Sequence, residues 1–392
     1  MTKLMDSPSR RLTAMVINPF NSLPMFQTFS IFFSDFFLDI FATRSTDEIT
    51  CFSTQARMLE SLAESAGEAG ELVRDHLPAM LETFKVLLTE SLERRAERNK
   101  RAGTDDFDEE EMQALEEEQE AEDEVFDQFA ECVGSLLKSF HGAILPSLQP
   151  LLSFIVPLLD KNRSAAERRI AICVFDDIFE HASDDGAALQ YLEGFVVPCI
   201  AGCGDNDADV RQASVYGIGV MAEHCGDKFA PHVSNALAAL AAVIQAPGAR
   251  DDENIYAFEN AVAALGKMCE FQNGALDASV ILPSWLANLP LTEDKVEARN
   301  VHAQLMRLLE SNGGALMGAS YEHVPRVVSV LADVLPTSTL STKLRLVDPE
   351  VAAKMKAFLV QMQASLPQDK LAAAWSVLTP EKQAALQAVL QG

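Results

Sequence analysis

Three carboxylates lie close together in one stretch of the chain, at Asp176, Asp177 and Glu180. Paired carboxylates can exchange protons with a substrate as general acid and base. Such catalysis also needs a nucleophile, a metal or a pocket beside the acids, and the surrounding sequence indicates none of these. The other interpretations are contact with Lys or Arg of a bound peptide, or an ordinary hydrated face with salt bridges inside the protein.

The densest charge lies between Thr104 and Glu124, where thirteen acids occur without a Lys or Arg, directly after the basic run Glu93–Arg101. Such a concentration of carboxylates attracts cationic partners over a distance. The alternative is a solvated spacer, because blocks of like charge cannot be buried. The acids are Asp105, Asp106, Asp108, Glu109, Glu110, Glu111, Glu116, Glu117, Glu118, Glu120, Glu122, Asp123 and Glu124.

The overall charge is also strongly negative. The 392 residues include 58 acids and 31 Lys or Arg, which gives a formal net charge of −27. A chain of this charge repels nucleic acid, so we expect basic proteins as partners and no direct nucleic-acid binding. The seven cysteines have no framework spacing, and their odd number favours reduced thiols in the cytosol or nucleus.

Cys199 and Cys203, together with His224 and Cys225, are residue types that can bind zinc. Their spacing within one predicted helix matches no common zinc site, and apolar neighbours favour buried thiols. No phosphate-binding loop, nucleophile elbow or paired CxxC motif occurs in the sequence. We therefore predict no metal, no cofactor and no enzymatic activity.

Two stretches of the chain resemble copies of one helix. Arg168–Ser183 and Arg211–Gly226 align at an offset of 43 residues, which places Glu180 over Glu223. A period of about 40–47 residues built from two helices is typical of HEAT and armadillo repeats. Because one unit cannot bury its own apolar face, the units stack. The predicted fold is all-α: an α-solenoid of HEAT repeats, with antiparallel helix pairs stacked in a superhelix.

Arg168 and Arg211 occupy equivalent positions in the two copies. We expect each to pair with an acid of a neighbouring unit, such as Asp205, Asp207 or Asp209. This would be a structural role. The run Asp205-Asn206-Asp207 is also suited to cap the helix that follows it.

The helical pattern continues to the end of the sequence, where Ala, Leu, Glu and Gln dominate. The basic and acidic runs separate two helices, with helical pattern resuming at Val125. The later predicted helices are Ile144–Leu159 with Ala165–Ala182, Leu189–Gly202 with Ala208–Cys225, Pro231–Gln245 with Glu253–Phe271, Val280–Leu289 with Lys295–Glu310, Val324–Leu335 with Glu350–Leu366, and then Lys370–Val377 and Pro380–Leu390.

The domain organisation follows from these patterns. Residues 1–45 form an atypical Phe-rich segment outside the solenoid, 46–92 form HEAT-like helices, 93–124 are the charged insertion, and 125–392 are the main repeat array. Within the first segment, Pro24–Ala42 approaches the length of a membrane span, but Gln27, Asp35 and Asp39 interrupt it. We do not expect it to enter a membrane.

Several strings in this order and spacing resemble the C-terminal HEAT repeats of the importin-beta superfamily, in particular the importin-five or karyopherin-beta-three type. They are Cys173–Ser183, Asp209–Glu223, Ile281–Lys295, Leu309–Asn312 and Leu378–Leu390. The charged runs also fall where these receptors carry a charged insertion. The similarity covers the chain from about residue 52 onward.

The resemblance implies a nuclear transport receptor, or its C-terminal arch, that shuttles between cytoplasm and nucleus and passes transiently through the pore. Such receptors bind basic cargo, for example ribosomal proteins or histones, contact Phe-Gly nucleoporins, and release cargo to Ran-GTP. The main Ran-binding repeats of the family lie in an N-terminal arch for which we expect no counterpart here. The alternative is a HEAT-repeat scaffold or chaperone for basic proteins.

The second helix of a HEAT unit generally lines the concave side of the array. Four acids fall on predicted second helices in segments that match the family. They are the residues that we expect to face cargo or Ran: Asp176, Asp177, Glu180 and Glu223.

Overall fold

The computed structural model describes residues 77–102, 109–183 and 186–391, and all regular structure in these residues is helical. The all-α prediction is therefore confirmed. The Phe-rich segment 1–45, with the stretch Pro24–Ala42, lies outside the described residues, as do Asp105, Asp106 and Asp108.

The helices follow one another in antiparallel pairs, and each predicted pair from Ile144 onward is present. Short 3₁₀ turns such as Val156–Leu159 join or extend several of them. The helices are α1 (Leu77–Ala102), α2 (Glu109–Phe140), α3 (Leu145–Ile155), α4 (Ala165–His181), α5 (Leu192–Gly202), α6 (Ala208–His224), α7 (Val233–Gln245), α8 (Ile255–Phe271), α9 (Ala278–Ala287), α10 (Lys295–Met317), α11 (Val324–Val334), α12 (Pro349–Ser365), α13 (Gln368–Ser376) and α14 (Pro380–Gln391).

Side-chain caps mark the start of three second helices, α4, α6 and α10. At α4, the Ser164 hydroxyl accepts from the Glu167 amide while the Glu167 carboxylate accepts from the Ser164 amide. Asp207 caps α6 and Asp294 caps α10 in the same way, each accepting from two amides of the first turn. These bonds satisfy amide groups that have no partner inside the helix. The predicted cap at Asp207 is confirmed.

The second helices α4, α6 and α8 pack side by side, and this layer is in closer contact than the layer of first helices. Helix α6 lies between the other two, and its residues Val215, Ile218 and Met221 are fully buried. At Gly219 the approach is so close that a Cβ atom would lie 3.1 Å from the Cα of Ala264. Because closer packing on one side of a stack curves the stack toward that side, we call the layer of second helices the inner layer.

Polar contacts link neighbouring repeats at the start of the second helices. Arg168 on α4 donates two hydrogen bonds to the Asp205 carboxylate before α6, at 2.9 and 2.8 Å. The predicted pairing of Arg168 with a neighbouring acid is thus confirmed. At the equivalent position, Arg211 donates to the Asn254 side chain instead, and to the backbone oxygens of Asp205 and Asn206.

The acidic run is helical where it is described. Helix α2 already begins at Glu109, so the prediction that helical pattern resumes only at Val125 was wrong. Two features explain why the acidic run is helical. Glu, Gln and Ala are good helix formers, and the antiparallel neighbour α1 supplies arginines that pair with acids of the run, as Arg95 does with Asp123 at 2.6 Å.

One stretch of the described residues, Phe129–Leu159, is long and apolar enough to cross a membrane, with a mean hydropathy of 1.7. It is not a single helix, because the 3₁₀ turn His141–Ile144 separates α2 from α3. Leu137 and Leu148, which give the stretch its apolar character, are fully buried in the core. A buried core helix passes the same test of length and composition.

The link between Arg168 and Asp205 is directly testable. We expect Asp205→Asn to destabilise the chain by about 1–3 kcal/mol, because a charge-assisted pair of hydrogen bonds is lost between half-buried groups. Thermal unfolding followed by circular dichroism measures the change. Asp227→Asn, at an exposed acid in the turn after α6, is the control. Equal melting temperatures for the two variants would contradict a structural role for the pair.

Candidate functional site: acids of the inner helix layer

Asp176 lies on α4 but does not face a partner, because only 3% of its surface is exposed. The prediction that Asp176 faces cargo or Ran was therefore wrong. The close approach of α4 and α6 encloses the carboxylate: its Oδ1 would lie 2.2 Å from a Cβ atom at Gly217, and it has no hydrogen-bond partner. Burial raises the pKa of Asp176 well above the usual range, and the charges of Asp177 and Glu180 add to the rise. The neutral acid is therefore favoured.

Glu180 and Glu223 are half-buried and link neighbouring second helices. The Tyr216 hydroxyl on α6 donates to the Glu180 carboxylate at 2.7 Å. The Lys267 ammonium on α8 lies 2.9 Å from the Glu223 carboxylate. Each glutamate therefore accepts from a donor on the following second helix. A role of either residue toward an outside partner remains a prediction.

The same arrangement occurs once more, at a residue that sequence reasoning missed. Glu270 on α8 accepts from Arg307 on α10 at 2.6 and 3.1 Å, and from Gln304 at 2.8 Å. Glu270 follows Glu223 by 47 residues, within the range of HEAT-repeat periods. Extending the repeat alignment by one unit would have identified it. We call Glu180, Glu223 and Glu270, with their donors, the glutamate ladder.

Asp177 projects from α4 toward α2. Its Oδ2 occupies the space that a side chain would fill at Gly134, where a Cβ atom would lie 2.6 Å away. Burial, together with the charge of Glu180, raises the pKa of Asp177 to about 7. The acids predicted to face a partner are thus brought to one layer, but contacts with α2, α6 and α8 engage or enclose them.

Among the described residues, the donor atoms of Asp177, Glu180 and His181 lie within 4.8 Å of one another. Carboxylate and imidazole are common ligands of divalent metals. Metal ligands must be deprotonated, and the raised pKa of Asp177 works against coordination near neutral pH. The carboxylate of Glu180 is also engaged by Tyr216.

The cysteines weighed as zinc ligands are buried thiols. Cys199, Cys203 and Cys225 all lie in the core. Burial raises the pKa of Cys203 and of Cys225 to about 12, and that of Cys199 well above its usual value. Because the thiolate is the form that binds metal, these environments favour inert core thiols over a zinc site.

The five acids of the run whose side chains the structure describes fall into two groups. Glu122 and Asp123 pair with Arg94 and Arg95 of α1 and hold the two helices together. The exposed group, in contrast, projects into solvent from the part of α2 that extends beyond these pairs. Its members are Glu116, Glu117 and Glu120.

The geometry defines a HEAT-type solenoid with an acidic inner layer, an architecture that serves interaction with other macromolecules. The family profile described as Importin repeat 6 matches residues 54–161, and the profile HEAT repeat matches residues 196–225. Importin subunit beta-3 of Saccharomyces cerevisiae is 25% identical over 274 residues, which cover 69% of this chain and 24% of the relative. The probable importin-5 homolog of Dictyostelium discoideum is 25% identical over 235 residues, covering 58% and 22%.

Solved structures of Kap121p have the same fold. The structure of Kap121p bound to RanGTP matches with a TM-score of 0.60 at 17% identity, covering 88% of this chain and 31% of that one. Structures of Kap121p bound to Ste12p and to Nup53p match with TM-scores of 0.61 and 0.58, each at 18% identity and covering 87% of this chain and 30% of the other.

These matches place the chain in the importin-beta superfamily. The chain spans about a quarter of the length of the curated relatives it matches.

The buried acids give a pH prediction. The folded-state pKa values of Asp176 and Asp177 lie above the ordinary value of about 4. The folded chain therefore binds more protons than the unfolded chain above about pH 4, and stability falls as the pH rises from there through the raised pKa values. We expect Asp176→Asn to unfold at a higher temperature than the parent at pH 8, with a gain of about 1–3 kcal/mol that shrinks toward pH 5.

Melting temperatures between pH 5 and pH 8 measure this effect. Asp252→Asn, at an exposed acid before α8, is the matched control, and its curve should follow that of the parent. A lower melting temperature for Asp176→Asn at every pH would mean that the ionised carboxylate stabilises the fold, contrary to the prediction.

Proposed function

We propose that this chain acts as a nuclear transport receptor of the importin-beta type, or as the C-terminal arch of one, and binds basic cargo for import, with release by Ran-GTP. Its membership of the importin-beta superfamily supports the transport role. The binding of RanGTP, Ste12p and Nup53p by Kap121p, which shares the fold, supports a set of partners of the same kind: Ran, cargo and a nucleoporin. Such a receptor would shuttle between cytoplasm and nucleus.

The exposed acids of α2 carry the proposal of basic cargo. Glu116, Glu117 and Glu120 project from a helix that is fixed against α1 by ion pairs, so their charges keep a constant position on the array. A fixed cluster of carboxylates on a chain of net charge −27 attracts basic segments and speeds their association. The acids of the inner layer add to this field, although the glutamate ladder neutralises part of it.

A non-transport scaffold or a chaperone for basic proteins is the second candidate. It would use the same acidic surfaces and would bind histones or ribosomal proteins without responding to Ran. The two functions therefore differ in the effect of Ran-GTP and in nucleoporin binding. Nothing in the described contacts requires an enzymatic activity, and we propose none.

The first test separates these candidates. The full chain, immobilised and exposed to cell extract, should recover basic proteins, and adding Ran locked in its GTP form should remove them. Recovery that ignores Ran-GTP would favour the scaffold or chaperone. Failure to recover any basic protein would contradict both candidates.

The second test concerns the exposed acids of α2. We expect the triple substitution Glu116→Gln, Glu117→Gln and Glu120→Gln to weaken binding of a basic cargo several-fold at low salt and to flatten its salt dependence, because three unscreened charges are lost. The matched control changes the net charge equally on another repeat, by Asp251→Asn, Asp252→Asn and Glu253→Gln. Equal losses in the two triples would show that only the total charge matters.

A further inference from the structure

A cleft of about 420 Å³ lies where α1 and α2 meet the first turn of α4. Four arginines line it, in a chain whose overall charge is strongly negative: Arg95, Arg98, Arg163 and Arg169. Two of them are engaged, since Arg163 pairs with Glu167 and Arg169 pairs with Asp127. The other two leave donor groups without an acceptor.

Arg95 is the more enclosed of these two, with 4% of its surface exposed. Its guanidinium lies over the Phe126 ring, 4.0 Å from the centroid, and Nη2 donates to Asp123 at 2.6 Å. Its Nε is buried and has no hydrogen-bond partner. A guanidinium presents five donors in a rigid fork, and a buried donor without an acceptor is unfavourable. An anion in the cleft would supply the missing acceptor.

Arg98 lies one turn further along α1 and is also buried, with 7% of its surface exposed. Within the described part of the chain it has no ion pair and no hydrogen bond. An arginine with so little exposed surface normally has a carboxylate or another acceptor beside it. Its positive charge is therefore available to a ligand.

The start of α4 adds backbone donors to the same cleft. The Ser164 and Glu167 amides are satisfied by the capping box, but those of Ala165 and Ala166 belong to the first turn and have no acceptor within the helix. Both alanines line the cleft. The N-terminus of a 17-residue helix also carries a partial positive charge that favours an anion.

Four acids line the cleft as well, and three of them are engaged. Asp123 accepts from Arg95, Glu167 accepts from the Ser164 amide, and Asp207 caps α6. Asp209 is the exception among the lining acids, since no described donor bonds to its carboxylate. It is the group that opposes an anionic ligand in the cleft.

We propose that this cleft binds a phosphate group, either as a free ion or on a phosphorylated serine of a partner. The donors of Arg95, Arg98 and the α4 amides reach the cleft from two different helices. A phosphate dianion offers three or four strong acceptor oxygens and can meet them together, whereas a carboxylate has two oxygens in one plane. Gln119 and Asp123 of α2 line the cleft, so it lies on the same helix as the exposed acids proposed to attract basic cargo.

Isothermal titration calorimetry on the full chain tests the proposal, with inorganic phosphate, pyrophosphate, and a phosphoserine peptide beside its unphosphorylated form. We expect saturable binding of phosphate-bearing probes and none of the unphosphorylated peptide. A phosphoserine peptide that binds tighter than free phosphate would identify a modified protein as the source. Similar affinities would identify the free ion. Absence of saturable binding for every probe at millimolar concentration would overturn the proposal.

Substitutions locate the binding. We expect Arg98→Gln to weaken phosphate binding about tenfold or more, since a charge-assisted hydrogen bond is lost. Asp209→Asn should strengthen binding because the opposing carboxylate disappears. The affinity of Arg98→Lys for phosphate should fall between those of the parent and of Arg98→Gln. Lysine keeps the positive charge but lacks the planar set of guanidinium donors.

Arg299→Gln is the matched control, since it removes one positive charge near the start of α10, away from the cleft. It should leave the affinity unchanged. Equal weakening by Arg98→Gln and Arg299→Gln would assign the binding to general charge and overturn the site. Because Arg98 has no partner to lose in the described structure, we expect its substitution to leave the melting temperature without ligand unchanged or higher.

Discussion

The lateral packing of second helices determines most of what this molecule can present to a partner. Helix α6 is buried between α4 and α8, and no repeat covers its own apolar face. This packing needs small residues at the closest points, and Gly217 and Gly219 supply them. The same close approach of α4 and α6 buries the Asp176 carboxyl group, which is unfavourable. The helix contact that stabilises the array therefore carries this energetic penalty.

The glutamate ladder shows how such an array can keep a polar inner layer and remain cohesive. The acceptor is a glutamate in each of three successive second helices, whereas the donor changes from Tyr216 to Lys267 to Arg307. Hydrogen bonds to charged groups contribute about 1.5–3 kcal/mol where they are shielded from water, and the pair of Glu270 with the half-exposed Arg307 contributes less because solvent screens it. Part of the acidic character of this layer thus serves the solenoid itself. The acids that remain unpaired are those that we propose attract basic partners.

Helices α1 and α2 bring opposite charges into one hairpin. The ion pairs of Arg94 and Arg95 hold the acidic helix in place and leave its far end exposed. Beside them, buried guanidinium groups and the start of α4 create a local positive site in an acidic chain. Salt limits the reach of each electrostatic field to roughly 8 Å at physiological ionic strength, so fields of opposite sign can coexist on one hairpin.

The sequence alone determined most of the helices, their pairing, the repeat period, the cap at Asp207, the pairing of Arg168 with an acid of a neighbouring repeat and the resemblance to importins. These features depend on residue periodicity, on local capping chemistry and on equivalence between repeats. Only the tertiary structure decided that Asp176 is buried, that Glu180 and Glu223 bond to the next helix, and that α2 begins at Glu109. Helical periodicity indicates which residues share a face, but the neighbour that covers this face lies 34 or more residues away in the ladder contacts. Burial and the choice of partner therefore follow from the stacking of repeats.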